Sequence, residues 1–531
     1  MNKTLIITMT LVLGINLFVF GQARVPFDAR MNSGKIHYNE GRFEKAKEQF
    51  AFAVAENPKS AAAHIWLGLS LAHLKKFLEA APQFDTAFAL DSVLFVKMHK
   101  NEDFKFQAWT AFLSATRENL ITADTNNWKI ALHYTKQALR IEPKSRQALT
   151  ILAQLYVKLS QLDELKQSAN AILKSDPENP LSFTMIGLYF FSSSQWDSAN
   201  YYYLESAKRY QVAEEKSKAM LATQLAIKDT LRLNEVAARL VAARRMRDPS
   251  RLKGYIEDSL KAKSKMPVIL PIADDLYLIN GELNTSYFRA GVANLQKASA
   301  EKDTMKQKQY FDQAQSEFEQ ALIYNSSDLD AKHDLAFIFY RKGNPATNVR
   351  AMTLYDEIVE VSVLPLTNPL LPAELVDSLM ARVAVEAKTK KFMPVPEELY
   401  LKIETELAKK GSDLTGLQYL YFLTAGQTKS SSTIDKKDVF LSTMAPKALE
   451  NLYLLYGSAQ ANVATDLKRE QKIDEANKKY DEAIVSFNIV LAINPNSKDA
   501  ISSLGVIWKE KGNKEEAGKM WQRLEELKKQ K

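Results

Sequence analysis

The pattern that most limits what this chain can fold into is a recurrence of small and aromatic residues at a step of 34. The segment from Gly41 to Pro58, GRFEKAKEQFAFAVAENP, aligns with that from Lys75 to Ser92, KKFLEAAPQFDTAFALDS. Ala46 falls on Ala80, Phe50 on Phe84 and Ala53 on Ala87. The step returns between Leu152-Ala153 and Ile186-Gly187, and between Leu165 and Ala199. It appears again from Ala483 to Ala517 and from Phe487 to Trp521. A period of this length marks a stack of similar supersecondary units, none of which can bury its apolar face alone. The 531 residues include only 17 Gly and 17 Pro, so turn formers are scarce and the units must be helical.

Each unit reads as two antiparallel helices joined by a short turn. A small residue in the first helix, at Gly34, Gly68, Gly187 or Gly505, lets the second approach through Ala46, Ala80, Ala199 or Ala517. An aromatic (Phe50, Phe84, Tyr203, Phe318 or Trp521) then fills the space towards the next unit. Pro58, Ser92, Pro143, Pro177, Ser326 or Pro495 stops the second helix. This small–aromatic–small–Pro pattern resembles the tetratricopeptide repeat family. The resemblance implies an all-α, helix-turn-helix solenoid, with units at 27–60, 61–94, 146–179, 180–213, 464–497 and 498–531. It is partial at 112–145, where Ala131, Ala138 and Pro143 fit and the first helix does not. At 284–328, Gly291, Ala314, Phe318 and Ala321 fit if the first helix or its turn carries an insertion. Ala336, Gly343, Ala351, Tyr355 and Ile358 fit with three extra residues before Ala351.

Other stretches break the pattern. Pro82 is tolerable only in the first turn of its helix. From Arg251 to Gly281, which includes MPVILP, there are helical patches and no repeat. VLPLTNPLLP from Val363 to Pro372, MPVPEE from Met393 and the polar GQTKSSSTIDKKD from Gly426 to Asp438 interrupt the array. The expected division is a leader at 1–23, repeats at 24–94 and 95–213, and degenerate or inserted repeats at 214–362. An irregular helical segment with loops, or alternatively degenerate repeats, then follows at 363–444, and C-terminal repeats at 445–531.

Lys3, the apolar run from Leu5 to Phe20, and small residues at Gly21 and Ala23 have the layout of a secretory signal peptide cleaved near Gly21 or Ala23. The expected location is therefore outside the cytoplasm, periplasmic or otherwise in a bacterial envelope, with no stable membrane insertion after cleavage. The chain has no cysteine, which excludes disulfides, thiol catalysis and thiolate metal sites. A formal charge of +8 spread over the chain is too weak a bias to imply nucleic acid.

Residue constellations for catalysis are not evident. The six histidines (His37, His64, His73, His99, His133 and His333) form no HExxH pair, and no P-loop, dinucleotide fingerprint or nucleophile elbow appears. No catalytic residue, metal ligand or cofactor is expected. The basic run with Arg239, Arg244, Arg245, Arg247, Arg251 and Lys253 reads as a solvated helix end before Pro249. In the resembled family the first helices line a concave face that holds extended or helical segments. Carried over, that face would comprise Lys35, Tyr38, Asn39, Ile65, Leu69, His73, Gln154, Lys158, Leu188 and Phe191, with Thr184 beside them. Met31 and Lys35 stand where the chaperone-tail clamp of some relatives needs Lys and Asn, so that specialised activity is not supported. The resulting expectation is a non-catalytic scaffold or adaptor for protein partners. The alternative is a regulatory or sensor subunit with a small-ligand site in the irregular middle.

Overall fold

In the computed structural model Ser60, Ser145, Asn179, Asp328 and Ser497 each stand just before a helix. Their side-chain oxygens accept the backbone N–H of Ala63, Ala148, Leu181, Ala331 and Ala500. Such a cap contributes about 0.5–2 kcal/mol. These residues close the four-residue links NPKS, EPKS, DPEN, NSSD and NPNS, so one short motif ends one helix and starts the next. The structure describes residues 26–121, 124–225, 266–365 and 446–529, with short pieces at 372–378, 380–381, 402, 420–423 and 439–442.

The chain divides into two compact units, Met1–Gln195 and Trp196–Lys531. The first holds α1 (Phe27–Asn39), α2 (Phe43–Glu56), α3 (Ala61–His73), α4 (Phe77–Leu90), α5 (Ser92–Met98), α6 (Glu102–Ile121), α7 (Thr125–Ile141), α8 (Arg146–Lys158), α9 (Leu162–Ser175) and α10 (Pro180–Ser192). The second holds α11 (Trp196–Leu225), α12 (Met266–Ala300), α13 (Thr304–Tyr324), α14 (Leu329–Lys342) and α15 (Pro345–Ser362). Three strands follow, β1 (Val363–Pro365), β2 (Leu420–Leu423) and β3 (Val439–Ser442). The unit then continues with α16 (Pro446–Arg469), α17 (Ile473–Ile493), α18 (Lys498–Glu510) and α19 (Lys514–Lys529). Within each unit the hairpins stack on their sequence neighbours.

In five hairpins the link is three residues long and its middle residue is left-handed: Gly41, Lys75, Ser160, Gln471 and Gly512 have φ of 56–80°. The N–H of the following residue reaches back into the first helix, as from Lys76 to Leu71, Gln161 to Tyr156 and Asn513 to Trp508 at 2.8–2.9 Å. That closure satisfies the orphan carbonyls of the helix end.

The glycines of the first helices serve a contact different from the one expected. A Cβ on Gly34 would lie 2.6 Å from Phe50, on Gly68 2.8 Å from Phe84, on Gly291 2.7 Å from Phe318, and on Gly505 2.9 Å from Trp521. The missing side chain makes room for the aromatic ring of the same hairpin rather than for Ala46, Ala80 or Ala517, which are themselves buried. Phe50 also stacks on Trp66 of the next hairpin at 5.8 Å, so the ring joins units as well as helices. Gly187 and Ala199 are both buried. In the α6–α7 hairpin Thr135 occupies the aromatic slot four residues after Ala131, and its hydroxyl lies 3.3 Å from that of Thr116. This substitution explains why its first helix lacks the pattern.

The expected insertion near Gly291 lies in the helices and not in the turn. The link at 301–303 keeps three residues, while α12 runs nine residues past Gly291 and α13 runs fourteen before Phe318. Around Gly34 and Phe50 the corresponding lengths are five and seven. The additions are close to one and two helical turns, so each side chain keeps its face. Gly457 and Phe487 are related in the same way, by longer α16 and α17. MPVILP, read as lying outside any repeat, opens α12, with Pro271 inside that helix. Pro82 sits in the second turn of α4 rather than its first, on an exposed face. Ser92 does not end its unit; Asp91 caps α5 instead, accepting from Leu94 N–H.

The segment expected to be irregular and helical contains a small antiparallel sheet in the order β1-β3-β2. Val363 pairs with Ser442 and Leu364 with Leu441, so the sheet ties together the points where the chain leaves and rejoins the stack. Across this insertion α15 packs directly on α16. Asn348 donates to Asp466 at 2.7 Å, and the Tyr456 hydroxyl donates to Asp356. One apolar core runs from Ala298 through Tyr355 and Tyr453 to Ile507. The interruption is therefore in the sequence and not in the packing. GQTKSSSTIDKKD lies outside the described residues.

Candidate functional site

The first helices of the N-terminal hairpins present polar and aromatic groups together. Tyr38 of α1 packs edge-on against Phe43, Trp66 and His73, with ring centres 5.1–5.4 Å apart. His73 of α3 stacks flat on Phe43 at 4.2 Å. Both reach Asp103, in the first turn of α6: the Tyr38 hydroxyl donates to Oδ2 at 2.6 Å, and His73 Nε2 lies 3.1 Å from the same oxygen. Burial pushes the Tyr38 phenol up, and the bond to Asp103 and its charge push it further. Burial would raise Asp103 too, but the hydrogen bonds from Tyr38 and His73 and the charge of His73 outweigh it and hold the carboxyl below its usual range.

This cluster alters the expected groove. Ile65 and Leu69 are only 1% and 2% exposed and share a core with Phe95 of α5 and with Phe104 and Ala108 of α6. They are packing residues. Lys35 is half-buried, with its ammonium 5.8 Å from the centre of Trp66. Asn39, Gln154 and Lys158 are exposed, Lys158 lying 4.9 Å over Trp128 of α7. Leu188 and Phe191 of α10 are half-buried and Thr184 is buried. The open part of the expected face is thus on α8 and α10, while the second hairpin's share is closed by the chain itself.

A second feature was not read from the sequence. Glu102, Lys105, Phe106 and Trp109 of α6 line a cleft of about 250 Å³ with Glu142, which ends α7. Phe106 is 61% exposed. Lys105 is paired with Glu142 at 2.8 Å, and the Trp109 indole N–H is buried with no hydrogen-bond partner among the described residues. The available signal was EDFKFQAW, in which Phe106 and Trp109 fall at i and i+3 of one helix and Glu102 one turn earlier.

In the second unit the polar interior is built from amides on carboxylates. Asn200 and Asn294 donate to Glu317 at 2.9–3.1 Å, Asn284 to Asp328 at 2.8 Å, and Asn494 to Glu450 at 2.9 Å. A cleft of about 410 Å³ lies beside Thr304, Lys308, Asp312, Arg341 and Lys342, with Lys342 tied to Asp312. Tyr203 is buried while Tyr201 is exposed. The basic run from Arg239 to Lys253 lies outside the described residues, as does most of the middle segment in which a small-ligand site was the alternative. No helix among the described residues is long and apolar enough to cross a membrane.

Residues 31–92 match the tetratricopeptide repeat family. No curated protein matches the chain in sequence. Among solved structures, a tetratricopeptide repeat protein from Parabacteroides merdae ATCC 43184 is 10% identical, covering 67% of this chain and 97% of its own, with a TM-score of 0.29. YrrB, described as a TPR protein with an unusual peptide-binding site, is 16% identical over 34% of this chain and 84% of its own, with a TM-score of 0.24. A thermophilic TPR protein from Thermus thermophilus is 19% identical over 35% of this chain and 91% of its own, with a TM-score of 0.19. At these TM-scores the likenesses carry no weight for function; the weight falls on the chain's own side-chain packing.

Proposed function

We propose that the chain, of which residues 31–92 match the tetratricopeptide repeat family, is a repeat array that serves as an exported, non-catalytic scaffold of the cell envelope and holds a protein partner on the faces of its N-terminal repeats. The observation that supports this reading is the regular stacking of hairpins through glycine–aromatic pairs such as Gly34–Phe50 and Gly68–Phe84. Packing of this kind rigidly displays first-helix side chains along a surface, and such surfaces take up peptides and helices. Exposed Gln154 and Lys158 on α8 and half-buried Leu188 and Phe191 on α10, on helices that pack together, combine apolar anchors with polar flanks. The export reading rests on Lys3 and the apolar run from Leu5 to Phe20.

Crosslinking and affinity capture of the tagged chain from its own envelope fraction test the proposal. The expected result is a partner retained by the wild type and lost from a Lys158→Glu variant with an unchanged melting temperature. Retention of the same partners by Lys158→Glu would remove this face from the reading, and no partner above control would remove the scaffold. The mass of the protein from its native cells should correspond to a chain beginning near Gln22 or Arg24; an intact Met1 would overturn the cleaved leader.

A further inference from the structure

We propose that the cleft beside Trp109 receives an arginine side chain of a protein partner. The proposal rests on the scaffold reading and adds the chemistry of what is held. The cleft has two aromatic walls, Phe106 and Trp109, and Phe106 is largely open to solvent although it sits on a well-packed helix. Its rim carries two carboxylates and one ammonium. Lys105 is paired directly with Glu142 at 2.8 Å and feels the charge of Glu102 only through space, so two carboxylates share one ammonium and the cleft as a whole is acidic. Aromatic faces next to a carboxylate with no direct hydrogen-bond partner among the described residues match a guanidinium, which stacks on rings and donates through a planar fork. The volume of about 250 Å³ is below the roughly 300–1,000 Å³ of sites that enclose whole ligands. It suits one long side chain of a larger partner. A lysine would satisfy the charge without the planar stack or the fork, and an aromatic residue would leave Glu102 unmatched.

The test titrates the full-length protein with the peptide Ac-Gly-Arg-Gly-NH2 and with the same peptide carrying citrulline or lysine in place of arginine. Binding is followed through the indole N–H resonance of Trp109, identified by its loss in Trp109→Phe. The arginine peptide should shift that resonance saturably and bind about tenfold more tightly than the citrulline peptide, the step expected for a charge-assisted bond to a carboxylate. Glu102→Gln should abolish the preference for arginine over citrulline, and Phe106→Ala should weaken binding of both. Phe106 and Glu102 are exposed, so neither change threatens folding. Equal binding of arginine and citrulline, stronger binding of lysine, or no saturable shift would each overturn the proposal. Capture experiments separate the two readings. If the Phe106→Ala protein captures its partner undiminished, the cleft assignment falls and the scaffold stands. If the wild type captures nothing while the arginine preference is present, the scaffold falls and the cleft chemistry stands.

Discussion

A single methyl group at Gly68 would lie 2.8 Å from Phe84, closer than any relaxed packing allows. Gly68→Leu should therefore destabilise the hairpin by about 1–3 kcal/mol through overpacking. Phe84→Ala should cost about 3–5 kcal/mol through the cavity it leaves. If the two positions share one volume, the double variant should lose less than the sum of the singles by at least about 0.5 kcal/mol. Thermal denaturation of the four proteins checks this, and strict additivity would show that the glycine serves some other contact. The 16-residue spacing of glycine and aromatic was legible in the sequence, because short helices and a three-residue link fix it. Which atom the glycine makes room for was not, since that depends on how far the ring reaches across the hairpin. A second residue-scale effect concerns pH. Burial pushes the Glu317 carboxyl above its ordinary value, offset only in part by the amides of Asn200 and Asn294 and by Lys297. The folded state therefore holds this proton more tightly than the unfolded one. Relative to a non-titrating Glu317→Gln variant, the wild type should gain stability as pH falls from 7 through the raised folded value, and the gain should be complete near the unfolded value of about 4.3. Melting temperatures of both proteins across that range measure it; a difference that does not change with pH would refute the assignment.

Elements of this chain can lengthen or be interrupted without leaving the stack. Both helices around Gly291 and Phe318 extend by near-whole turns, which preserves the buried face, and this is why that repeat was recognisable in sequence yet out of step. The segment after Ser362 shows the other mode. Sequence signalled the break at Val363 through its prolines. It did not signal that α15 and α16 would meet across it, because Asn348–Asp466 and Tyr456–Asp356 are separated by about a hundred residues or more. Ile65 and Leu69 fall in the core instead of the expected groove for a related reason. The family pattern presumes that each first helix is followed by a regular neighbour, but here α5 and the long α6 cover Ile65 and Leu69 and bring Asp103 to Tyr38 and His73. The insertion yields a direct prediction. Val363 and Ser442 are antiparallel register partners, so their Cα atoms are about 4.5–5.5 Å apart. An Asn-Gly turn replacing 364–441 should bridge them. The shortened protein should keep its helical signal in circular dichroism and melt within about 5 °C of the parent, equivalent to roughly 1–2 kcal/mol for a unit of this size. Loss of cooperative melting would mean that the stack depends on the excised segment.

On the scale of the whole molecule, hairpins packed only on their neighbours should share stability locally rather than globally. The second unit offers a controlled comparison, because the same glycine–aromatic pair occurs at two very different places in it. Gly291 faces Phe318 within the core that runs from Ala298 to Ile507, and α12 is packed between α11 and α13. Gly505 faces Trp521 in the α18–α19 hairpin, where Trp521 is only half-buried and Ala517 is the one buried residue of α19. Leucine at either position forces the same kind of overlap, about 1–3 kcal/mol, but the surroundings differ. In Gly505→Leu, the hairpin's main packed neighbour among the described residues is on the α17 side, so it can open without disturbing much more than that one interface. Amide hydrogen exchange should then show protection lost across 498–529 and kept from α12 to α16. In Gly291→Leu the strained helix has partners on both sides, and opening it exposes the interfaces with α11 and α13 together. Protection should fall through α11, α12 and α13 and, to a smaller degree, in α14, declining with distance from the substitution as nearest-neighbour coupling requires. If Gly505→Leu instead reduced protection evenly across the unit, the hairpins would be one indivisible cooperative body and the repeat description of its energetics would be wrong.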